Sequence, residues 1–256
     1  MKSAACSTGR ACPPTSEMER LFSDLHIHSC LSPCGDDDNT PANICGMAAL
    51  KGLQMIAVTD HNTAGNLPAV QRCCDAYGLL LIPGMEITTR EEVHLLGYFP
   101  TVPEAVAFGE FVMSHLPKKK NRPEYFGHQR VMDEDDNQIA EEEHLLISAT
   151  DLSLAELTRI IRERGGVPVP AHINRGSNGL LVNLGFMPEG LDFTALEVWR
   201  ALPCPQDVQI GKVILHSSDA HYLGDMLEPE ITISLEERSA EAFLRKLRRG
   251  RPEDTL

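Results

Sequence analysis

Short runs of apolar residues alternate along the chain with segments in which apolar residues recur at helical spacing. The apolar runs predict seven strands, at residues 21–27, 55–59, 79–83, 93–98, 167–171, 195–198 and 213–216. Because these strands are separated mostly by helices or long connections, the pattern favours a parallel α/β architecture, either open or closed into a barrel.

The predicted helices are bounded by residues that commonly begin or end a helix. They are a helix from Thr40-Pro41 to Gly52, residues 67–77 closed by Gly78, a helix that opens with the capping box Ser153 to Glu156 and ends at Gly165, and residues 240–249 between Ser239 and Gly250.

The alternating pattern breaks down over residues 100–150. A basic run at residues 118–122 is followed there by acidic runs at residues 133–136 and 141–143. We interpret this region as a partly helical insertion on the surface of the fold. Residues 1–20 are rich in Ser, Thr, Pro and Cys and predict a flexible N-terminal arm, so that residues 21–256 form the folded domain.

The charge composition limits the classes of partner. Lys and Arg number 23 and Asp and Glu number 37, which gives a formal net charge of −14. This excess argues against a broad nucleic-acid footprint and against an anionic membrane surface, since both require a basic face. It does not exclude a small anionic substrate, because bound divalent cations can be the largest local charges in a site.

The chain carries no sequence signal for a membrane or for export. Its longest apolar stretch, near residues 79–85, is far shorter than the roughly 18 residues that a membrane-spanning helix needs. The first 20 residues lack the apolar segment of a signal peptide. We therefore expect a cytoplasmic protein with reduced cysteines, no membrane partner and no obligate protein partner.

Histidine and acidic residues follow most of the predicted strands. His26 and His28 are two apart in one strand, so their side chains point to the same face. This pattern alone is weak, but similar placements recur at Asp60, His61, Glu86, His94, His172, Asp219 and His221. In α/β barrels the carboxyl ends of the strands gather at one face, where active sites are built.

On these residues the chain resembles the PHP superfamily, the polymerase and histidinol phosphatase domain of metal-dependent phosphoesterases. The matching residues are His26-Ile27-His28, Thr59-Asp60-His61, Glu86, His94, Ala171-His172 and Asp219-Ala220-His221. The resemblance extends over about residues 21–232. It implies a distorted (β/α)7 TIM-like barrel, with residues 100–150 as an insertion and a trinuclear metal centre at the carboxyl ends of the strands.

The resemblance also implies the ligands of each metal ion. The implied sets are His26, His28, Glu86 and Asp219 for the first ion, Glu86, His94 and His172 for the second, and His61, His221 and an acidic loop residue for the third. The loop after His28 departs from the usual Ser-Asp-Gly pattern; Asp36 is our choice for the missing ligand, with Cys34 and Asp37 as alternatives. Nitrogen and oxygen ligands accept Mn²⁺, Fe²⁺ or Zn²⁺, and we expect two to three divalent ions.

Four further residues are candidates for substrate chemistry. Asp60 either orients a ligand histidine or relays a proton to the leaving group. Arg175 lies three residues after His172 and is a candidate for a bidentate phosphate contact. Lys118 and Lys119 either bind a second phosphate or a polynucleotide tail, or form a solvated surface.

The function predicted from these residues is hydrolysis of a phosphomonoester by a hydroxide that bridges metal ions. The preferred substrate, a nucleotide or the 5′ end of a short oligonucleotide, is implied by the resemblance alone. One alternative is an amidohydrolase-like enzyme that cleaves C–N or C–O bonds. The other is a non-catalytic module that binds metal or nucleotide.

Overall fold

The computed structural model describes residues 18–250, which contain eleven strands and seven α-helices. The strands are β1 (Glu19–Ile27), β2 (Met55–Val58), β3 (Leu80–Leu81), β4 (Gly84–Thr88), β5 (His94–Tyr98), β6 (Arg130–Met132), β7 (Gln138–Glu141), β8 (Val167–Pro170), β9 (Ala195–Glu197), β10 (Val213–Leu215) and β11 (Thr232–Leu235). The helices are α1 (Pro41–Lys51), α2 (Leu67–Tyr77), α3 (Val102–Ser114), α4 (Pro123–Phe126), α5 (Leu154–Glu163), α6 (Leu180–Leu184) and α7 (Ala240–Arg249). Residues 1–17 of the predicted N-terminal arm lie outside the described residues, and β1 begins within the last part of that arm.

The sheet is mixed rather than parallel throughout. β1, β2 and β3 pair in parallel, as do β9 and β10, whereas β4, β5 and β8 pair antiparallel and β11 pairs antiparallel with β1. The expectation of a parallel architecture is therefore wrong for the three antiparallel pairs, β4 with β5, β5 with β8 and β1 with β11. The antiparallel pairing of β4 with β5 follows from the short connection between them, residues 89–93. A crossover between parallel strands needs about a dozen or more residues, so a connection of this length can only join antiparallel neighbours.

The paired strands form separate ladders that single backbone contacts join. His61 bridges to Glu86, Ile27 bridges to Ala220, and the amide of Ile173 donates to the carbonyl of Glu197 at 3.0 Å. The ladders do not close into one continuous sheet. These contacts join the segment after β2 to β4, the segment after β10 to β1, and the segment after β8 to β9. The candidate site lies where these segments meet.

Two apolar clusters occupy the two faces of the strands. Ile56 and Val58 belong to the cluster that packs under helices α1, α2, α3 and α5, whereas Met55 and Ala57 of the same strand belong to the other. This alternation is the period of two that a strand buried on both faces shows. Phe243 of α7 is fully buried in the second cluster.

The region from residue 100 to residue 150 contains more regular structure than the sequence indicated. It holds the 13-residue helix α3, the short helix α4 and the hairpin formed by β6 and β7. The prediction that residues 100–150 are partly helical is confirmed, and their identification as an insertion stays a prediction. Among residues 18–250, no helix is long and apolar enough to cross a membrane.

Candidate metal centre

His26 and His28 converge as the alternation of strand β1 predicts. Their Nε2 atoms lie 3.1 Å apart, and both side chains are fully buried. Two imidazole nitrogens at this separation can face the same cation.

Two carboxylates approach the same pair of nitrogens from other strands. Glu86 Oε1 lies 3.4 Å from His26 Nε2, and Glu86 Oε2 lies 3.4 Å from His28 Nε2. Asp219 Oδ1 lies 3.4 Å and 3.2 Å from the same two nitrogens. The structure thus brings together the four residues of the first implied ligand set, with ligand atoms within 4.8 Å of one another.

The other nitrogen of each imidazole is held from behind. His26 Nδ1 lies 3.0 Å from Glu197 Oε2, and His28 Nδ1 lies 3.0 Å from the Ser32 hydroxyl. Because the Ser32 hydroxyl donates to Asp60 Oδ1 at 2.7 Å, its oxygen accepts from His28 Nδ1. Partners of this kind fix the tautomer and leave Nε2 free for a metal ion.

Three further histidines surround Glu86. His94 Nδ1 lies 2.8 Å and His172 Nε2 3.2 Å from Glu86 Oε1, whereas His61 Nδ1 lies 3.1 Å from Glu86 Oε2. His61, Glu86 and His94 form a second group of possible ligands. The sequence placed Glu86 at a strand end, but it lies in the middle of β4 and reaches the cluster from there.

The third group of possible ligands is His28, His61 and His221, and it contains no acidic loop residue. Asp36 contacts His221 only through its backbone amide, which donates to the His221 carbonyl at 2.9 Å. Its carboxylate accepts from the amide of Asp38 at 2.9 Å, and Asp37 pairs with Arg130. The structure therefore does not bring Asp36, Asp37 or Cys34 into any of the three groups.

Burial and charge set the protonation of the cluster. Burial lowers the pKa of His26, but Glu197, Glu86 and Asp219 outweigh burial and raise that pKa well above its ordinary value. Burial alone would raise the pKa of Glu86, but the neighbouring His94 and His26 hold it well below its usual range. Burial and the charge of His28 lower the pKa of His61 well below its ordinary value. The Glu86 carboxylate is thus anionic, as a carboxylate ligand of a metal ion would have to be.

The chemistry of this donor set fits divalent cations. Glu86 Oε2, His61 Nδ1, His94 Nδ1 and His172 Nδ1 are buried without a hydrogen-bond partner. Buried polar atoms are normally paired, and Glu86 Oε2, His61 Nδ1 and His94 Nδ1 lie together with only ion-pair contacts between them, which indicates a missing cation. Nitrogen and carboxylate oxygen donors are the ligands that Mn²⁺, Fe²⁺ and Zn²⁺ share.

Two of the candidate ligands have an unusual backbone conformation. His172 has φ of 28° and Asp219 has φ of 50°, in the positive region that non-glycine residues rarely adopt. Such conformations persist where the surrounding structure enforces them, and they concentrate at functional sites.

Asp60 does not line the cleft that opens onto the histidine cluster and is bonded instead to the loop after β1. Its carboxylate accepts from the Ser29 amide at 2.8 Å, from the Ser29 hydroxyl at 2.6 Å and from the Ser32 hydroxyl at 2.7 Å. These contacts make Asp60 a support for the loop that carries Ser32, and through it for His28.

Arg175 lies at the cleft that opens onto the cluster. The cleft has a volume of about 400 Å³, and Arg175, His94, His172 and His221 line it. The guanidinium lies 2.5 Å from Asp219 Oδ2 and 4.3 Å from the centre of the Trp199 ring. Lys118 and Lys119 do not line this cleft; they lie on the insertion, just before α4.

Glu197 is the functional residue that the sequence reasoning missed. It is 2% exposed and holds both His26 Nδ1 and, at 2.9 Å, the backbone amide of His172. The available signal was an acidic residue inside the apolar run at residues 195–198.

Comparisons with known proteins show which family model and which relatives the chain resembles. The sequence matches that of the PHP domain family over residues 24–172, more than half of the chain. Over 82 residues it is 29% identical to phosphoribosyl 1,2-cyclic phosphate 1,2-diphosphodiesterase of Eggerthella lenta, a match that covers 30% of each protein.

Two solved structures show the same fold. The lesion-specific endonuclease Q of Pyrococcus furiosus matches with a TM-score of 0.66 at 18% identity, over 90% of this chain and 56% of its own. A two-domain protein of Bacteroides vulgatus that contains a predicted PHP-like metal-dependent phosphoesterase matches with a TM-score of 0.54 at 18% identity, over 97% of this chain and 68% of its own. The chain spans less than two thirds of the length of the Eggerthella enzyme and of the endonuclease.

Proposed function

The chain belongs to the PHP domain family, and on this premise we propose that it is a metal-dependent phosphoesterase that hydrolyses a nucleotide or the 5′ phosphate end of a short oligonucleotide. The observation that carries the proposal is the convergence of His26, His28, Glu86 and Asp219 beside Arg175 at one cleft.

Three sets of residues would hold two to three ions of Mn²⁺, Fe²⁺ or Zn²⁺. The sets are His26, His28, Glu86 and Asp219, then Glu86, His94 and His172, and finally His61 and His221 with His28 in place of the loop carboxylate. When bound, such ions stabilise charge on phosphoryl oxygens and lower the pKa of a coordinated water. Glu86 would be shared between ions, since both of its oxygens face imidazoles.

Arg175 supplies the contact to the phosphate. Its guanidinium is part-exposed and pairs with Asp219, while the Trp199 ring supports it from one side. A planar guanidinium presents parallel donors that match two phosphoryl oxygens. Arg175 would thus orient the phosphate over the cluster, and Asp60 would position His28 rather than transfer a proton.

The volume of the cleft and the names of two similar proteins support a substrate with a phosphate ester at one end. A cleft of about 400 Å³ accommodates a terminal phosphate with part of a nucleotide rather than a duplex. The similar Eggerthella enzyme and the endonuclease are both named for cleavage of phosphate esters. These two names support a phosphate ester as the substrate.

The distorted (β/α)7 barrel also belongs to this proposal. In such a barrel seven strands would follow one another in the order β1, β2, β4, β5, β8, β9, β10, and the single backbone contacts that join the separate ladders, such as the bridge between Ala220 and Ile27, support this order. Such a ring would explain why the candidate ligands come from so many separate strands.

The test is phosphate release by the Mn²⁺-reconstituted protein. The panel holds mononucleotides, 3′,5′-bisphosphates, sugar phosphates, histidinol phosphate and 5′-phosphorylated oligonucleotides. Glu86→Ala is the blank, and Glu110→Ala, which changes an exposed carboxylate of α3, is the matched control. We expect release from nucleotides or oligonucleotides by the wild type and by Glu110→Ala, and none above background by Glu86→Ala.

Two results would overturn the proposal. If Glu86→Ala kept full activity, the metal cluster would not carry the reaction. If the wild type released no phosphate from the whole panel while it retained its metal ions, the amidohydrolase-like or binding-module alternatives would replace the phosphoesterase.

A further inference from the structure

We propose that the insertion carries a second substrate site, which stacks a base and contacts the backbone of a single-stranded oligonucleotide whose 5′ phosphate lies in the metal cleft. The site, called here the α4 patch, consists of Lys118, Lys119, Arg122, Tyr125 and Phe126. The proposal deepens the proposed function and rests on it for the position of the 5′ phosphate.

The α4 patch combines exposed aromatic rings with cations. Tyr125 is 69% exposed, and the Arg122 guanidinium lies 4.2 Å from the centre of its ring. The Lys119 ammonium lies 5.5 Å from the centre of the Phe126 ring. Proteins that bind single strands without sequence preference use this pairing, in which bases stack on aromatic rings and cations contact the backbone.

Two lysines of the α4 patch have charge available for a phosphate. Lys120 pairs with Glu143 and Arg122 with Glu124, so their charges are partly neutralised. Among residues 18–250, no carboxylate forms an ion pair with Lys118 or Lys119. Two lysines without a carboxylate partner among these residues lie beside an exposed aromatic ring. This combination favours a ligand that carries both phosphates and bases over a ligand that carries acidic groups alone.

The α4 patch lies next to the rim of the metal cleft. Gly127, which directly follows α4, packs so closely on the loop after His28 that a Cβ there would lie 2.1 Å from the Pro33 carbonyl oxygen. In the same loop, the amide of Asp36 donates to the carbonyl of His221, which lines the cleft. The residue that follows α4 thus contacts the loop that reaches the rim of the cleft, and an oligonucleotide that leaves the cleft on the His221 side would pass toward the α4 patch.

Buried amides hold the insertion in a fixed position relative to the cluster. Asn66 donates to the Arg130 carbonyl at 3.1 Å and to the Ser29 hydroxyl at 2.9 Å, and the Arg130 amide donates to the Cys30 carbonyl at 2.9 Å. Gln129 is fully buried and donates to the carbonyls of Glu142 and His144. A site on such a platform keeps a constant distance from the metal cleft.

The first experiment measures binding without turnover. Fluorescence anisotropy with a 3′-labelled hexanucleotide that carries a non-hydrolysable 5′ phosphonate is recorded on the Mn²⁺-loaded protein, with DNA and RNA of the same sequence as separate arms. Tyr125→Ala should weaken binding about tenfold in at least one arm, and Tyr125→Phe should restore it because the ring is retained. Ile139→Ala, an exposed apolar position on β7 of the same insertion, should bind like the wild type.

Salt dependence tests the lysines. Each phosphate contact that is removed should lower the slope of log affinity against log salt by about 0.7 for a single strand. The double variant Lys118→Ala with Lys119→Ala should therefore have a slope lower by about 1.4. An unchanged slope, equal binding by Tyr125→Ala and wild type, or the same Tyr125 dependence for a blunt duplex would overturn the α4 patch.

The second experiment separates this proposal from the proposed function. Tyr125→Ala should lower kcat/KM for the 5′-phosphorylated hexanucleotide about tenfold and leave that for the mononucleotide unchanged. Turnover of the hexanucleotide that is unaffected by Tyr125→Ala overturns the α4 patch and leaves the phosphoesterase in place. Tyr125-dependent binding with no turnover of any substrate overturns the phosphoesterase and leaves the α4 patch in place.

Discussion

Glu197 holds two histidines of the candidate metal centre, His26 and His172, in position. Its carboxylate meets His26 Nδ1 and the backbone amide of His172, which are far apart in the chain. Burial would raise its pKa, but the neighbouring His26 holds that pKa below the usual range, so the carboxylate is anionic. An anion behind an imidazole raises the basicity of the ligand nitrogen on the other side.

The first prediction is that Glu197→Gln weakens metal binding. The amide keeps the shape of the side chain but loses the charge that orients His26, so the affinity for Mn²⁺ should fall about 10- to 100-fold. Isothermal titration calorimetry measures this change. Glu189→Gln, which alters an exposed carboxylate, should bind Mn²⁺ like the wild type. An unchanged affinity in Glu197→Gln would show that His26 needs no such support.

Asp60 shows what a motif can and cannot specify at the scale of one residue. The sequence put an acid beside His61 but left open whether it orients a ligand or relays a proton. Three donors from Ser29 and Ser32 surround its carboxylate. Only the folded loop supplies these donors, which is why the sequence alone could not decide between the two roles.

The second prediction concerns Arg175. If Arg175 contacts the phosphate as proposed, Arg175→Ala removes charged hydrogen bonds, and kcat/KM for the preferred phosphate ester should fall about 10- to 100-fold while the bound metal is retained. Steady-state kinetics and metal analysis of the same samples check this. Arg200→Ala, an exposed arginine that pairs with Glu230, is the matched control. Wild-type kinetics in Arg175→Ala would make Arg175 a surface residue only.

At the scale of the element, the helix ends are predicted best. Thr40, Ser153 and Ser239 each accept a hydrogen bond from the amide three residues later, and Gly52, Gly78 and Gly250 end their helices in the left-handed conformation. These contacts lie within one turn of helix, so the local sequence contains all the atoms involved. β4 and β11 were not predicted as strands, and the partner of β11 is β1, at the other end of the described chain, which no local pattern can indicate.

The third prediction is made at this scale. Ser153 and Glu156 form a reciprocal capping box at the start of α5. Ser153→Ala leaves backbone donors of the first turn unpaired and should lower the free energy of unfolding by about 1 kcal/mol. Urea denaturation measures this loss. Ser114→Ala, which removes an exposed hydroxyl bonded within α3, should change stability less; an equal loss in both would rule out the cap as the cause.

At the scale of the molecule, a chain of net charge −14 concentrates its imidazoles at one place. Six of the ten histidines, carried by five separate segments, surround Glu86 and Asp219, namely His26, His28, His61, His94, His172 and His221. Divalent ions at these residues would make the cleft locally positive, which reconciles the acidic composition with an anionic substrate.

The fourth prediction is that metal ions stabilise the whole fold. A ligand that binds only the folded state at 100 times its Kd adds about 2.7 kcal/mol to stability. Mn²⁺ should therefore raise Tm of the wild type by several degrees, and EDTA should reverse the change. Glu86→Ala lacks the shared carboxylate and should show a much smaller rise. An equal rise in both proteins would place the ion away from this cluster.

The sequence by itself determined the α/β class, the capped helices and the types of residue that meet at the site. These features depend on neighbours in the chain, on the period of apolar residues and on the order of the histidine and acidic motifs. His26 and His28 converge because they share one strand, whatever else the chain does.

Only the tertiary structure decided which candidate ligands lie together and which residues support them. It placed His28 rather than Asp36 with His61 and His221, put Glu197 behind His26, and made β4, β5 and β8 antiparallel. These relations join residues that are far apart in the chain. The packing of whole strands and helices sets the distances between them, because no local preference of the backbone acts over such separations.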